Sequence, residues 1–124
     1  MSRKRILLID DDEGIRDFVR IALGDAGFDV TTAEDGRRAL ELLAKSKPSV
    51  ILLDMRMPRM NGWEFSAAYK ALPEPRAPIV VVTAARDAGA YAAEIGADAF
   101  LAKPFRVRDL VALVRQFSSG APKA

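Results

Sequence analysis

Apolar residues along this chain follow two patterns that alternate five times. Short solid runs, Ile6-Leu7-Leu8-Ile9, Val50-Ile51-Leu52-Leu53 and Ile79-Val80-Val81-Val82, predict strands buried on both faces. Arg5–Ile9 is the first of these strands, and Phe28–Thr32 and Ala99–Ala102 read as two more. Between the runs, apolar residues recur every three or four positions and predict five helices. They are Ile15, Phe18, Val19, Ala22 and Leu23 in the first helix, then Ala39, Leu40 and Leu43 in the second. Phe65, Ala68, Tyr69 and Leu72 mark the third, Ala88, Tyr91, Ala92 and Ile95 the fourth, and Leu110, Leu113, Val114 and Phe117 the last. Turn residues fall where the pattern changes. Gly27 suits a left-handed terminator, Asp35-Gly36 opens the second helix, and Pro48, Pro73 and Gly96 follow helix ends. This alternation predicts one α/β domain, a doubly wound five-stranded parallel sheet with right-handed crossovers and helices on both faces.

Charge enters the picture at the ends of the apolar runs. Asp10 and Asp11 follow the first, Asp54 the third, and Lys103 the fifth, with Thr83 at the tip of the fourth. In an open parallel sheet the C-terminal strand tips line one edge, where ligands bind. Alone, Asp54 reads as a helix cap or turn residue and Thr83 as an ordinary strand threonine. Three carboxylates at one edge repel, however, and favour protonation unless a cation intervenes. Such oxygen ligands suit Mg²⁺, with Mn²⁺ as an alternative, and three carboxylates, one divalent ion and one ammonium sum to zero charge. An aspartate so placed can act as a carboxylate nucleophile toward phosphorus, with Lys103 and Thr83 available to phosphoryl oxygens.

Composition narrows the chemistry further. Half of the 124 residues are hydrophobic and 29% are charged, ordinary for a soluble globular domain. No apolar stretch approaches the roughly 20 residues of a membrane span, and no signal peptide pattern is present, so a cytoplasmic chain with no membrane contact is expected. With no cysteine, disulfides and thiol nucleophiles are excluded. With no histidine, a histidine general base and an internal phosphohistidine are excluded too. A net charge of +2 without aromatic interleaving gives little reason to expect nucleic-acid binding.

The residues Ile6–Asp12, Asp54-Met55-Arg56-Met57-Pro58 through Gly62, Thr83-Ala84, Gly96-Ala97 and Lys103-Pro104-Phe105, in this order, resemble the receiver domain of bacterial two-component response regulators. The resemblance implies a flavodoxin-like strand order 2-1-3-4-5. It implies that Asp54 accepts a phosphoryl group and that Asp11, Asp54 and the backbone carbonyl of Arg56 ligate Mg²⁺, with Asp10 holding a metal-bound water. Thr83 and Lys103 would grip the phosphoryl oxygens, Lys103–Pro104 would be cis, and Phe100 would take the switch-aromatic position. Arg56 and Ala85 occupy positions that tune phosphoryl lifetime, and their identities predict slow self-hydrolysis. Between Thr83 and Lys103 the chain is slightly shorter than is usual in that family, a departure that falls in the fourth helix or the loop before it.

The expectation is therefore a receiver over residues 1–118 and a short flexible tail over 119–124. Its partners would be a sensor histidine kinase or a His-phosphotransfer protein, and an unidentified downstream protein. No DNA-binding domain is expected in this chain, and a monomer or weak dimer is. It would not be an enzyme beyond taking part in its own phosphorylation and slow dephosphorylation. Two other readings stand beside this one. Asp10 and Asp12 form an Asp-x-Asp pair of the haloacid-dehalogenase phosphatase type, although only Asp109 supplies an acid after Lys103. An interaction module that is never phosphorylated is the other.

Overall fold

The structure is a computed structural model that describes residues 3–84 and 86–118. Ala85 and the predicted tail over 119–124 lie outside the described residues. Among the described residues five strands alternate with five helices. The strands are β1 (Arg5–Ile9), β2 (Asp29–Ala33), β3 (Val50–Leu53), β4 (Ile79–Thr83) and β5 (Ala99–Ala102). The helices are α1 (Glu13–Asp25), α2 (Gly36–Leu43), α3 (Gly62–Lys70), α4 (Ala88–Ile95) and α5 (Val107–Ser118). All strand pairs are parallel, in the order β2-β1-β3-β4-β5.

Side chains alternate across the central strands and build two separate cores. Leu7, Ile9, Ile51, Leu53, Ile79 and Val81 face α2, α3 and α4, where Ala39, Phe65, Tyr69, Ala92 and Ile95 meet them. Ile6, Leu8, Val50, Leu52, Val80 and Val82 face α1 and α5, packing on Val19, Leu23, Leu110 and Val114. Every residue of β3 and β4 is buried, which is why these runs are solidly apolar. Each fully buried Leu, Ile or Phe contributes about 1.5–3 kcal/mol, so the sheet is held from both sides.

Boundaries differ from expectation in two places. β2 lies one residue later than the predicted Phe28–Thr32, because Phe28 closes the α1 turn through its amide to the Leu23 carbonyl. The α3 helix stops at Lys70 with Ala71 as its cap, so Leu72 lies beyond it and is largely exposed. The apolar spacing ran on past the point where Pro73 and Pro75 forbid further helix.

Candidate functional site

Strand register alone delivers the charged residues to one place. Ile9 pairs with Leu53 and Leu53 with Val81, so Asp10 and Asp54 emerge side by side with Thr83 adjacent. Thr83 pairs with Ala102, so Lys103 leaves the sheet at the same edge. The ladder continues one step beyond the strands: Asp10 donates its amide to the Ala33 carbonyl at 3.0 Å, Asp54 to Ile9 at 2.9 Å, and Lys103 to Thr83 at 2.9 Å. These bonds fix the backbone of all three residues.

The side chains converge accordingly. One carboxylate oxygen from each of Asp10, Asp11 and Asp54 lies within 4.8 Å of the other two. Lys103 Nζ stands 2.6 Å from Asp10 Oδ2 and 3.8 Å from Asp54 Oδ2. Asp54 Oδ1 accepts from the Thr83 hydroxyl and from the Met55 amide, both at 2.9 Å. Its Oδ2 takes neither of these bonds and stands nearest Lys103. Asp10 is fully buried, and its oxygens accept from the Asp12 amide and from Lys103. Asp11 is exposed, with no internal donor among the described residues. The three acids thus differ: one saturated and buried, one open to solvent, one with its Oδ2 nearest the lysine.

Electrostatics favour a cation at this cluster. Burial is the largest influence on Asp54 and pushes its carboxyl above the ordinary range, with the Asp10 charge second. Lys103, Thr83 and the Met55 amide pull the other way without cancelling it. One ammonium serves two buried carboxylates. A small divalent cation with oxygen ligands fits what remains, since it takes few carboxylates and keeps its own waters.

The neighbouring loops are built around this cluster. Asp12 is the N-cap of α1, its carboxylate accepting from the Ile15 amide, and Glu13 adds charge that favours the helix N-terminus. Asp12 is thereby turned away from the role an Asp-x-Asp phosphatase would give it. Arg16 holds the Asp10 carbonyl at 2.9 Å. A Cβ on Gly62 would stand 2.6 Å from Met55 Sδ and 2.9 Å from the Asp54 carbonyl. Only glycine allows α3 to start this close to Asp54. Asp35 is buried, caps α2 and pairs with Arg59, tying the loop after Asp54 to α2. The Lys103–Pro104 peptide is cis, as is Glu74–Pro75.

Residues 6–115 match the response regulator receiver domain model. The chain belongs to that family. The receiver is 38% identical over 113 residues to the response regulator MprA of Mycolicibacterium vanbaalenii, covering 90% of this chain and 48% of that protein. To the DNA-binding response regulator MtrA of Mycobacterium bovis it is 37% identical over 115 residues, 91% of this chain and 50% of the relative. The receiver therefore spans about half the length of these curated relatives. Among solved structures, the chemotaxis protein CheY4 of Vibrio cholerae superposes with a TM-score of 0.80 at 33% identity, over 94% of this chain and 99% of that one. The response regulator TrrA of Thermotoga maritima, solved in complex with Mg(2+)-BeF, gives 0.82 at 28% identity, over 92% and 98%.

Two side chains singled out in the sequence make their contacts outside the acidic cluster of this receiver. Phe100 is 53% exposed and its ring packs on α4, where a Cβ at Gly89 would stand 3.2 Å from it. The Arg56 guanidinium turns to Tyr91 and Trp63. Tyr91 belongs to the apolar spacing of the fourth helix, and both rings also pack on the core. No spacing signal marks two half-buried aromatics as a seat for a cation. No helix among the described residues is long and apolar enough to cross a membrane.

Proposed function

We propose that Asp54 of this receiver accepts a phosphoryl group from a phosphohistidine on a sensor histidine kinase or a His-phosphotransfer protein. The observation that carries this reading is buried Asp54 with a carboxylate oxygen within 4.8 Å of those of Asp10 and Asp11 and its Oδ2 3.8 Å from Lys103. Asp54 Oδ2 attacks phosphorus, the bond from phosphorus to the donor imidazole nitrogen breaks, and that nitrogen keeps the electron pair. Thr83 and the Met55 amide hold Oδ1, which fixes the rotamer of the attacking carboxylate. Lys103 neutralises charge on the incoming phosphoryl oxygens. Asp10, Asp11, Asp54 and the Arg56 backbone carbonyl would hold Mg²⁺, with Mn²⁺ as a substitute. When bound, the ion supplies positive charge that screens the carboxylates from the phosphoryl group. The Mg(2+)-BeF complex of TrrA supports this assignment.

After transfer, Thr83 exchanges its bond to Asp54 for one to the phosphoryl group, and Phe100 leaves its exposed position against Gly89. Phosphorylation thereby shifts the population of the β4-α4-β5 region toward a second arrangement. The receiver unit is residues 1–118. It acts in the cytoplasm as a monomer or weak dimer and passes its signal by protein contact or phosphorelay. It takes part in its own phosphorylation and dephosphorylation without turning over a separate substrate.

Incubation with Mg²⁺ and acetyl phosphate followed by intact mass tests the reading. The wild-type chain gains one phosphoryl group and Asp54→Ala gains none. Equal incorporation in both chains refutes it.

A further inference from the structure

Arg56 is seated by aromatic groups from two helices. Its Nη2 donates to the Tyr91 hydroxyl at 2.8 Å, and its guanidinium carbon stands 5.6 Å from the Tyr91 ring and 5.8 Å from the Trp63 ring. The two rings meet edge to face at 4.9 Å, and Trp63 Nε1 donates to Glu94 Oε1 at 2.9 Å. The loop after Asp54, the start of α3 and the outer face of α4 are thus joined through one cation. Among the described residues no carboxylate pairs with Arg56, whereas Arg20, Arg38, Arg59 and Arg76 each have one.

Phosphorylation changes what competes for that cation. The three acids, a divalent ion and Lys103 balance to zero, while an acyl phosphate on Asp54 carries roughly two negative charges on three exposed oxygens and leaves the site net negative. Arg56 is two residues along the chain from Asp54 and is exposed. Its forked donors match phosphoryl oxygens better than they match a phenol and two ring faces.

We propose that Arg56 has two alternative seats, the Trp63–Tyr91 pair seen here and the phosphoryl group on Asp54, and that Tyr91 is a positioning residue setting phosphoryl lifetime through it. The proposal rests on the phosphoacceptor reading of Asp54. Hydrolysis adds a water oxygen to phosphorus and breaks the bond from phosphorus to the Asp54 oxygen. The carboxylate is regenerated and the water protons leave with the phosphate. Arg56 over the phosphoryl group blocks the approach of that water. Tyr91 draws Arg56 back and shortens the lifetime. When Arg56 leaves, α4 loses its tie to the loop, so the same exchange transmits phosphorylation to α4.

The test is a double-mutant cycle on the full chain. Wild type, Tyr91→Phe, Arg56→Ala and the double variant are phosphorylated with Mg²⁺ and acetyl phosphate, freed of donor, and followed by intact mass. Tyr91→Phe keeps the ring and loses the hydroxyl, so its phosphoryl group persists about threefold longer than wild type. Arg56→Ala shortens the lifetime, and adding Tyr91→Phe to it changes nothing further. Trp63, the sole tryptophan, shifts its emission on phosphorylation in wild type and not in Arg56→Ala. A Tyr91→Phe effect of equal size with and without Arg56, no effect in either background, or an unchanged Trp63 signal in wild type overturns the proposal. A purely structural role for Tyr91 would move stability in both backgrounds alike. If no chain gains a phosphoryl group, the phosphoacceptor reading fails first and takes this proposal with it.

Discussion

Replacing Asp54 by Asn should stabilise the metal-free protein, because Asp54 is buried beside the Asp10 carboxylate and its charged form is disfavoured there. The oxygens of Asp10 and Asp54 lie within 4.8 Å. Two like charges about 5 Å apart repel by roughly 3 kcal/mol at an effective dielectric of ~20. By the same measure the Lys103 ammonium at 3.8 Å attracts Asp54 by about 4 kcal/mol, so charge alone nearly balances, and that ammonium is closer still to Asp10, at 2.6 Å. Burial of Asp54 adds a penalty on its charged form, and it is the main reason its carboxyl is raised. Asparagine keeps an acceptor for Thr83 and Met55 and offers Asp10 a donor. The net gain should be about 1–2 kcal/mol at neutral pH, a rise in melting temperature of roughly 4–8 °C. Asp54 binds its proton more tightly folded than unfolded, so its stabilising contribution is complete below the ordinary value of 3.8 and is lost as pH rises through the raised folded value. The advantage of the variant therefore belongs to neutral pH and shrinks on acidification. Magnesium should narrow it as well, since at tenfold its dissociation constant it stabilises the wild type by about 1.4 kcal/mol and the variant by less. Urea unfolding at neutral and mildly acidic pH, with and without Mg²⁺, measures all three effects. A metal-free variant less stable than wild type at neutral pH, or equal stabilisation of both chains by Mg²⁺, would refute the reasoning.

Other substitutions probe the supports of the site. Gly62→Ala forces a Cβ against Met55 and the Asp54 carbonyl and should cost about 2–4 kcal/mol in urea unfolding; an unchanged midpoint would show that the α3 start can shift freely. Thr83→Val removes a buried hydroxyl that donates to Asp54 and should cost about 1–2 kcal/mol at neutral pH, less where Asp54 is protonated. Asp35→Ala should cost about 2 kcal/mol by removing the α2 cap and the Arg59 pair. Burial alone would raise the Asp35 carboxyl, but the Arg38 amide and Arg59 outweigh it and hold it low. Its contribution is thus present above 3.8 and lost as pH falls through the depressed folded value, so the cost of Asp35→Ala should fade in acid. A cost independent of pH would contradict that assignment.

How much of this was legible in the sequence depended on whether the signal was periodic. β1 and β3 stood where their apolar runs put them, since burial on both faces leaves no other composition available, and β5 kept its predicted range although its residues alternate between half-buried and exposed. The meeting of Asp10, Asp54, Thr83 and Lys103 followed from each being at or just past a strand end, because parallel register aligns the tips. Leu72 misled because apolar spacing carries no information on the backbone restriction that the next proline imposes. The Arg56 seat on Tyr91 and Trp63 was invisible. It joins residues 35 apart through a hydrogen bond and ring faces, and neither leaves a spacing pattern in one chain. The Asp35–Arg59 pair escaped notice for the same reason, since Asp35 read only as a turn residue.

The central claim is that one carboxylate among several at this sheet edge is the nucleophile and that it works only with a divalent cation. Reductive trapping of the acetyl phosphate-treated chain with borohydride, followed by peptide mass spectrometry, reads both parts at once. The account predicts modification at Asp54 alone, abolished by a chelator and restored by added Mg²⁺. Modification at Asp10 or Asp12, or labelling of Asp54 that persists unchanged in the chelator, would contradict it.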